Sequence, residues 1–284
     1  MSMRLLHFNE LGKLRWTEFG KDSIPPYAIL SHTWGNEEVS FADLENGTGE
    51  RKAGYRKILF CGEQAACDKL QYFWVDTCCI DKRNLNEVSK AINSMFRWYQ
   101  NAVKCYVFMS DVATSSTNAE THQSAWEAAF RNSRWFTRGW TLQELIAPAS
   151  VEFFSLQHRR LGNKQSLERQ IHDVTGVPVE ALQGRPLNHF SIAERMSWAE
   201  NRETTEEEDG AYCLLGIFGV FMSLIYGEGK AHALNRLRRA IDEAECPEDF
   251  GGQREQRRSC KHMILYRWLR RFDLYANSLS SCSR

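Results

Sequence analysis

Between residues 27 and 154 the chain alternates short, almost wholly apolar runs with longer stretches whose apolar residues recur at helical spacing. The short runs are typical of parallel strands that helices cover on both faces. The longer stretches are typical of amphipathic helices. Strands are predicted at Tyr27–Ser31, Phe73–Thr77, Lys104–Met109 and Val151–Phe154, and helices at Tyr55–Leu70, Glu87–Gln100 and Trp126–Arg131. This alternation predicts an α/β fold with a doubly wound, mostly parallel sheet.

The pattern differs on either side of this region. Before it, RLLHF and KLRWTEF flank Asn9–Gly12 and predict a hairpin. After about residue 160 the rhythm is helical, as in Ser166–Val174 and Lys230–Glu243, and capping boxes begin at Ser191 and Thr205. We therefore expect four parts, namely a lead-in at 1–23, a sheet domain at 24–158, a helical extension at 159–245 and a separate tail at 246–284.

The tail is loop-like at first and then basic and aromatic, as in KHMILYRWLRRFDLY. Such a composition is typical of a helix that binds a membrane surface or a partner. It is equally typical of a loosely docked or disordered end, and this second interpretation is preferred.

Polar and aromatic residues follow two of the predicted strands. His32-Thr-Trp-Gly35 comes after the first strand, with Gly35 placed to let the backbone turn, and acidic residues follow the second. Open α/β sheets bind ligands at the carboxyl ends of their strands. A lone His or Asp at such a position is also often structural. The candidate ligand-binding residues are Ser31, His32, Trp34, Gly35, Asp76 and Asp81.

The segment SRWFTRGWTLQELIAP, residues 133–148, combines aromatic and basic residues with one carboxylate, Glu144. Thr141 stands three residues before Glu144, which is the spacing of a capping box. One interpretation of Glu144 is therefore a helix-capping residue. The other is an acidic group beside a cationic and aromatic wall, suited to a ligand that carries a ribose or a positive charge. The wall adds Arg134, Arg138 and Trp140 to the candidate ligand-binding residues.

Composition describes an ordinary globular chain with 43% hydrophobic and 25% charged residues among its 284. Lys+Arg and Asp+Glu both total 36, which argues neither for nor against nucleic acid, and no nucleic-acid partner is predicted. The N-terminus is not a signal peptide, so the nine cysteines are expected as reduced thiols in the cytoplasm. The longest apolar run, Ala211–Tyr226, is shorter than the ~20 residues of a membrane span. Without a C-x-x-C pair, no structural metal is predicted.

Several familiar catalytic motifs are absent from the sequence. There is no G-x-G-x-x-G after a strand, no nucleophile elbow and no H-E-x-x-H. Gly227-Glu-Gly-Lys230 lacks the first glycine of a phosphate-binding loop, and Ala231 replaces its Ser or Thr. Nucleoside triphosphate hydrolysis and zinc proteolysis are therefore disfavoured.

Several segments in the same order resemble the fungal heterokaryon incompatibility (HET) domain. They are YAILSHTWG (27–35), FWVDTCCIDK (73–82), INSMFRWY (92–99), SRWFTRGWTLQELIAP (133–148) and MSWAENRETTEEEDGAYCLLGIFGV (196–220). The resemblance covers roughly residues 4–243. It departs from the family at Glu206, Gly219, Phe221 and Ser223, where the family usually has Arg, Asp, a polar residue and Pro.

The resemblance implies a role in self/non-self recognition and in programmed cell death when unlike hyphae fuse. The partners it implies are an incompatibility partner protein and, on activation, further copies of the chain. More distantly it implies a fold similar to Toll/interleukin-1 receptor (TIR) domains, a flavodoxin-like arrangement. In enzymatic TIR relatives a glutamate in a W-C-L-x-E-L-like helix supports cleavage of the nicotinamide–ribose bond of NAD. Trp140-Thr-Leu-Gln-Glu144-Leu145 matches that pattern.

The leading hypothesis is therefore a cell-death effector that hydrolyses NAD as a substrate, with no bound cofactor and with Glu144 as the catalytic carboxylate. Trp34 or Trp140 would stack on a ring, and Arg134 or Arg138 would hold the pyrophosphate. One rival is a non-catalytic module that acts by assembly or by recruiting partners. The other rival is a degenerate paralogue, suggested by the altered positions 206–223 and the unfamiliar tail.

Overall fold

The computed structural model of the chain describes residues 2–114 and 126–245. The predicted tail at 246–284 lies outside these residues. Within them, seven strands form one sheet in the order β2-β1-β4-β3-β5-β6-β7. The strands are β1 Met3–Phe8, β2 Leu14–Phe19, β3 Tyr27–His32, β4 Tyr72–Trp74, β5 Lys104–Phe108, β6 Val151–Phe154 and β7 Arg160–Asn163.

The centre of the sheet is parallel and its edges are antiparallel. Strand β3 pairs in parallel with β4 and β5, and β5 pairs in parallel with β6. Strands β1, β2 and β7 join by antiparallel pairing. The α/β fold with a parallel core is confirmed. The four parallel strands, counted along the chain, lie in the order 2-1-3-4, so the order reverses between β3 and β5. In doubly wound sheets that reversal is where ligands bind.

The predicted hairpin at the N-terminus is confirmed, and it extends the sheet. Strand β1 pairs with β2 from Met3↔Phe19 to Phe8↔Leu14, and Leu6 pairs with Phe73 of β4. Leu5 and Leu6 are completely buried. Residues 1–23 therefore supply two strands of the sheet.

One predicted strand is shorter than expected, and one strand was not predicted. The run Phe73–Thr77 is a strand only as far as Trp74, because Asp76 begins a short helix, α3 Asp76–Cys79. Strand β7 was not predicted, because RLGN has no apolar run or alternation. Its Gly162 fits closely against the following turn, where an added Cβ would come within 2.8 Å of Ser166 Oγ.

Helices cover both faces of the sheet, as the doubly wound pattern predicts. Helix α2, Tyr55–Cys67, lies on one face, where the Phe60 ring centroid is 5.4 Å from that of Phe108 and 5.1 Å from that of Phe154. Helix α4, Leu85–Asn101, lies on the other face, where the ring centroids of Tyr99 and Trp74 are 6.1 Å apart. The helices up to β6 are α1 Phe41–Asn46, α2 Tyr55–Cys67, α3 Asp76–Cys79, α4 Leu85–Asn101, α5 at 126–131 and α6 Thr141–Ile146.

The chain after β7 is helical, as predicted. It contains α7 Glu168–Thr175, α8 Val179–Leu182, α9 Ile192–Ser197, α10 Asp209–Tyr212, α11 Leu215–Phe218 and α12 Lys230–Glu245. The described residues up to Leu237 form one compact unit, and Arg238–Glu245 do not belong to it. The predicted boundaries at 23 and 158 stay a prediction.

Of the two capping boxes predicted in this helical layer, one is confirmed. The Ser191 and Glu194 side chains each accept the other residue's backbone N–H at the start of α9. The box at Thr205 is wrong. The Glu208 carboxylate instead accepts N–H groups from Gly227 and Gly229 at 2.8 and 2.7 Å. Glu208 thereby closes the loop before α12. That loop folds back onto the start of α10, and local sequence spacing does not reveal this contact.

Candidate functional site

The two polar residues at the end of β3 point to opposite faces of the sheet. The Ser31 hydroxyl lies on the side of α4 and α6, where it contacts Glu144 and Trp135. The His32 ring lies on the side of α2, where Lys57 contacts it. Successive side chains of a strand alternate between faces, so this separation follows from the strand itself.

Glu144 is buried and hydrogen-bonded to the end of β3. Its side chain lies on α6, only 6% of the residue is exposed, and its Oε2 accepts a hydrogen bond from Ser31 Oγ. Trp135 Nε1 donates to the same Ser31 oxygen at 2.8 Å. The tryptophan thereby fixes the serine so that its proton points at the carboxyl group.

The alternative interpretation of Glu144 as a capping residue is wrong. The cap of α6 has no side-chain hydrogen bond, and the Thr141 hydroxyl donates to carbonyl groups, those of Trp135 and Arg138. Thr141 is therefore tied to the preceding 3₁₀ turn, which leaves the Glu144 side chain to reach across to β3.

Burial determines the charge state of Glu144. Removal from water, reinforced by the negative charge of Asp76, raises the pKa of Glu144 to about 8. Ser31, Tyr99 and Arg202 oppose this rise. The Tyr99 hydroxyl also donates to the Leu30 carbonyl at 2.9 Å. The surroundings thus suit a carboxyl group that is mostly neutral at pH 7.

His32 and Asp76 form a second hydrogen-bonded group, beside the one formed by Glu144, Ser31 and Trp135. His32 Nε2 lies 2.9 Å from Asp76 Oδ1, and Lys57 Nζ lies 3.2 Å from His32 Nδ1. Because a lysine ammonium only donates, His32 Nδ1 accepts and Nε2–H donates to Asp76. Burial would raise the pKa of Asp76, but the hydrogen bond from His32 holds it below its usual range. Asp76 therefore carries a negative charge close to Glu144.

An exposed rim of aromatic and basic side chains borders this polar group. Trp34 is 50% exposed, and its Nε1 donates to Asp76 Oδ2 at 2.8 Å. Lys82 Nζ lies 3.5 Å from the centre of the Trp34 ring, and an Arg134 guanidinium N–H donates to the Trp34 carbonyl at 3.1 Å. A fixed, half-exposed indole beside two cations can stack a planar group and hold an anion.

Comparison with known proteins identifies the family of this chain. Residues 27–127, from β3 into the start of α5, match the heterokaryon incompatibility protein (HET) family. The chain is also 58% identical, over 242 residues, to vegetative incompatibility protein HET-E-1 of Podospora anserina. The chain contains a HET domain. The matched region covers 84% of this chain but only 18% of the Podospora protein.

A shorter match is with 1-aminocyclopropane-1-carboxylate oxidase 1 of Arabidopsis thaliana, to which the chain is 30% identical over 92 residues. That match covers 32% of this chain and 26% of the Arabidopsis protein. No solved structure matches the chain.

Three of the candidate residues have side chains that pair with groups other than Glu144 and Ser31. Asp81 accepts hydrogen bonds from the Arg83 side chain at 2.8 and 2.9 Å. Trp140 Nε1 donates to Asp209 at 2.9 Å, and an Arg138 guanidinium N–H donates to Thr205 at 3.0 Å. Trp140 and Arg138 are therefore occupied by the helical layer. Their predicted ligand contacts stay a prediction.

Gly35 does not need to be glycine for the turn after β3. Its φ is not in the left-handed region, and an added Cβ would lie at an ordinary 3.6 Å from Glu38 Oε1. Its N–H instead donates to that carboxylate at 2.6 Å. The expectation that Gly35 allows the turn is therefore wrong, because the residue contributes a backbone donor rather than a special conformation.

Sequence reasoning missed four residues that shape this part of the HET domain. Lys57 and Tyr99 lie within helices α2 and α4, and helical spacing alone assigns no chemistry to either residue. Lys82 follows Asp81 in a loop, and Arg202 lies in the helical layer, which showed no chemistry of its own. The available signal was a basic residue inside a segment that resembles the HET domain, as at Lys82 and Arg202.

Two negative findings concern residues 2–114 and 126–245. They contain no cluster of three or more His, Cys, Asp or Glu side chains that could hold a metal ion. They also contain no helix that is long and apolar enough to cross a membrane. A surface cavity beside the hairpin includes none of the candidate residues and is lined by Leu14, Arg15, Trp16, Leu44 and Glu45.

Proposed function

We propose that this chain is the effector region of a heterokaryon incompatibility protein and that it kills cells by hydrolysing NAD at Glu144. The observation that carries the proposal is the placement of Glu144. Its carboxyl group is hydrogen-bonded to Ser31 at the carboxyl end of β3, where the parallel strand order reverses. The 2-1-3-4 order supports the flavodoxin-like and TIR-like topology that this chemistry implies.

The proposed reaction requires little from the protein besides one charge and good positioning. The bond between ribose C1′ and the nicotinamide nitrogen breaks, and its electron pair leaves with nicotinamide. A water oxygen forms the new bond to C1′ and releases one proton to the solvent. The ribose ring carries positive charge in the transition state, so an ionised Glu144 would stabilise it. Trp34 would stack on a ring and Arg134 would hold the pyrophosphate.

The conformation in which Glu144 is buried and hydrogen-bonded to Ser31 is then a resting form. With a pKa of about 8, only about a tenth of Glu144 is ionised at pH 7. The Glu144 side chain is also buried, since only 6% of the residue is exposed. Assembly of several copies, or contact with an incompatibility partner, would open the rim around Trp34 and admit the substrate. The activity is therefore conditional, as a cell-death effector requires.

The test follows nicotinamide release from NAD by purified protein at high concentration across pH 6 to 9. We expect release to rise about tenfold per pH unit below the pKa of Glu144, and we expect Glu144→Gln to abolish it. Glu180→Gln is the matched control, because Glu180 is exposed on α8 and is not one of the candidate residues, so release should stay unchanged. No release under any assembling condition would contradict the enzymatic proposal.

One observation favours a second function, a non-catalytic assembly module. Glu144, Ser31 and Trp135 form a buried hydrogen-bonded chain, which serves equally well as a structural link between α6 and β3. Overexpression in a fungal host separates the two proposals. If Glu144→Gln kills cells as wild type does, without loss of cellular NAD, the assembly module is supported and NAD hydrolysis is excluded.

A further inference from the structure

Arg202 extends a largely buried guanidinium group from the helical layer to the start of α6. One of its terminal nitrogens, Nη1, donates to the Arg138 carbonyl and to Thr141 Oγ1, both at 2.9 Å. Its Nε donates to the Trp198 carbonyl at 3.2 Å. Three of its contacts therefore hold the side chain in one orientation.

The other terminal nitrogen of Arg202, Nη2, is buried and has no hydrogen-bond partner. Buried donors in folded proteins almost always have an acceptor, and leaving one unpaired destabilises the fold. An unpaired nitrogen on an otherwise fixed guanidinium therefore indicates an acceptor that arrives in another state of the protein.

Glu144 is the nearby group that can become such an acceptor. Thr141, which Arg202 contacts, precedes Glu144 by three residues on α6, so the two side chains lie on neighbouring positions of one helix face. The two groups also interact electrostatically. Burial raises the pKa of Glu144 and lowers that of Arg202, and the charge of each group opposes the shift of the other.

The other charged and titratable groups around Glu144 do not replace Arg202. Asp76 is negative and bound to His32, and Lys57 is directed at His32 and Glu38. Tyr99 and Cys105 are neutral, because burial raises the pKa of each. Lys164 is directed at the carbonyl groups of Leu145 and Pro148, at the other end of α6.

We propose that Arg202 is the positioning residue for Glu144, whose carboxylate turns to the free Nη2 when it ionises. In the resting form, the neutral carboxyl group keeps its hydrogen bond to Ser31, and the Nη2 donors have no acceptor. On ionisation the carboxylate accepts from Nη2, which holds its charge in place for the ribose cation. This inference rests on the proposed function, and it makes the helical layer a part of the site.

The pH midpoint of Glu144 tests the pairing without any need for activity. Carbon-13 NMR of protein labelled at glutamate carboxyl groups follows the titration, and Glu144→Gln identifies the signal. Arg202→Gln removes the charge but keeps an amide donor, and Arg202→Lys keeps the charge. We expect the glutamine variant to raise the midpoint by roughly one to two pH units and the lysine variant to stay within about half a unit of wild type.

Equal midpoints in wild type and Arg202→Gln would overturn the pairing and leave Arg202 as a brace of α6. If the glutamine variant does not fold, wild-type crystal structures at about pH 6 and about pH 9 decide the question. Glu144 within hydrogen-bond distance of Arg202 Nη2 only at the higher pH supports the pairing, and an unchanged Glu144 overturns it. A shifted midpoint without nicotinamide release would sustain the pairing while excluding NAD hydrolysis.

Discussion

Replacing Glu144 with glutamine will remove a fall in stability that the wild-type protein shows as pH rises from about 5 to 8. Burial raises the pKa of Glu144 from 4.5 to about 8, so the folded protein keeps a proton that the unfolded chain loses. The free energy of unfolding therefore falls by about 1.4 kcal/mol per pH unit across this window. The total reaches roughly 3 to 5 kcal/mol at pH 8.

Glutamine should be well accommodated at residue 144. Its amide oxygen can accept from Ser31, so the hydrogen bond to the end of β3 persists without a charge. The variant should match wild type near pH 5 and exceed it by several kcal/mol above pH 8.

Urea unfolding of both proteins at several pH values measures this difference. Glu180→Gln, at an exposed position on α8, is the matched control and should leave the wild-type slope unchanged. Parallel pH profiles for wild type and Glu144→Gln would show that Glu144 is ionised in the folded protein at neutral pH. The charge state assigned to the resting form would then be wrong.

Replacing Gly216 with alanine will destabilise the fold by about 3 kcal/mol or more. Gly216 lies on α11, which packs against α4, and an added Cβ would come within 2.1 Å of Phe96 Cβ. Both atoms are attached directly to helix backbones, so the side chains cannot relieve the overlap by rotating. The two helices would have to separate along their contact.

Gly210→Ala is the matched control on the neighbouring helix α10. An added Cβ there would meet Lys230 Cε at 3.3 Å, and that methylene lies on a flexible side chain that can move. Alanine is also favoured over glycine within a helix by up to about 1 kcal/mol. We expect Gly210→Ala to be neutral or slightly stabilising. Equal effects of the two substitutions in thermal and urea unfolding would contradict the close packing of α11 on α4.

The periodicity of the chain was enough to place most of the sheet and helices. Strands β3, β5 and β6 are mostly apolar because helices cover both faces of the sheet, and such a run can be recognised in the sequence. Helix α4 shows apolar residues at regular spacing because one of its faces packs on the sheet. Strand β7 and helix α3 were missed because neither has such a pattern, and they are defined by pairing and by a turn.

The candidate site divides in a similar way. Ser31, His32 and Asp76 follow apolar strands, so the parallel arrangement alone predicts that they lie at one edge. The Ser31–Glu144 hydrogen bond joins residues 113 positions apart, and no local spacing encodes it. Local spacing even suggested the wrong partner for Glu144, because Thr141 stands at capping distance along the helix.

The sequence by itself determined the α/β class, the order of the strands along the chain and the chemistry available at their ends. The tertiary structure decided which of those groups meet. It directs Arg138 and Trp140 to the helical layer. It also buries Glu144, whose pKa then depends on the charges of Asp76 and Arg202. The physical reason is that periodicity reports the burial of one element at a time. The charge state of a carboxyl group depends instead on its distance from water and from every other charge, which only the assembled fold sets.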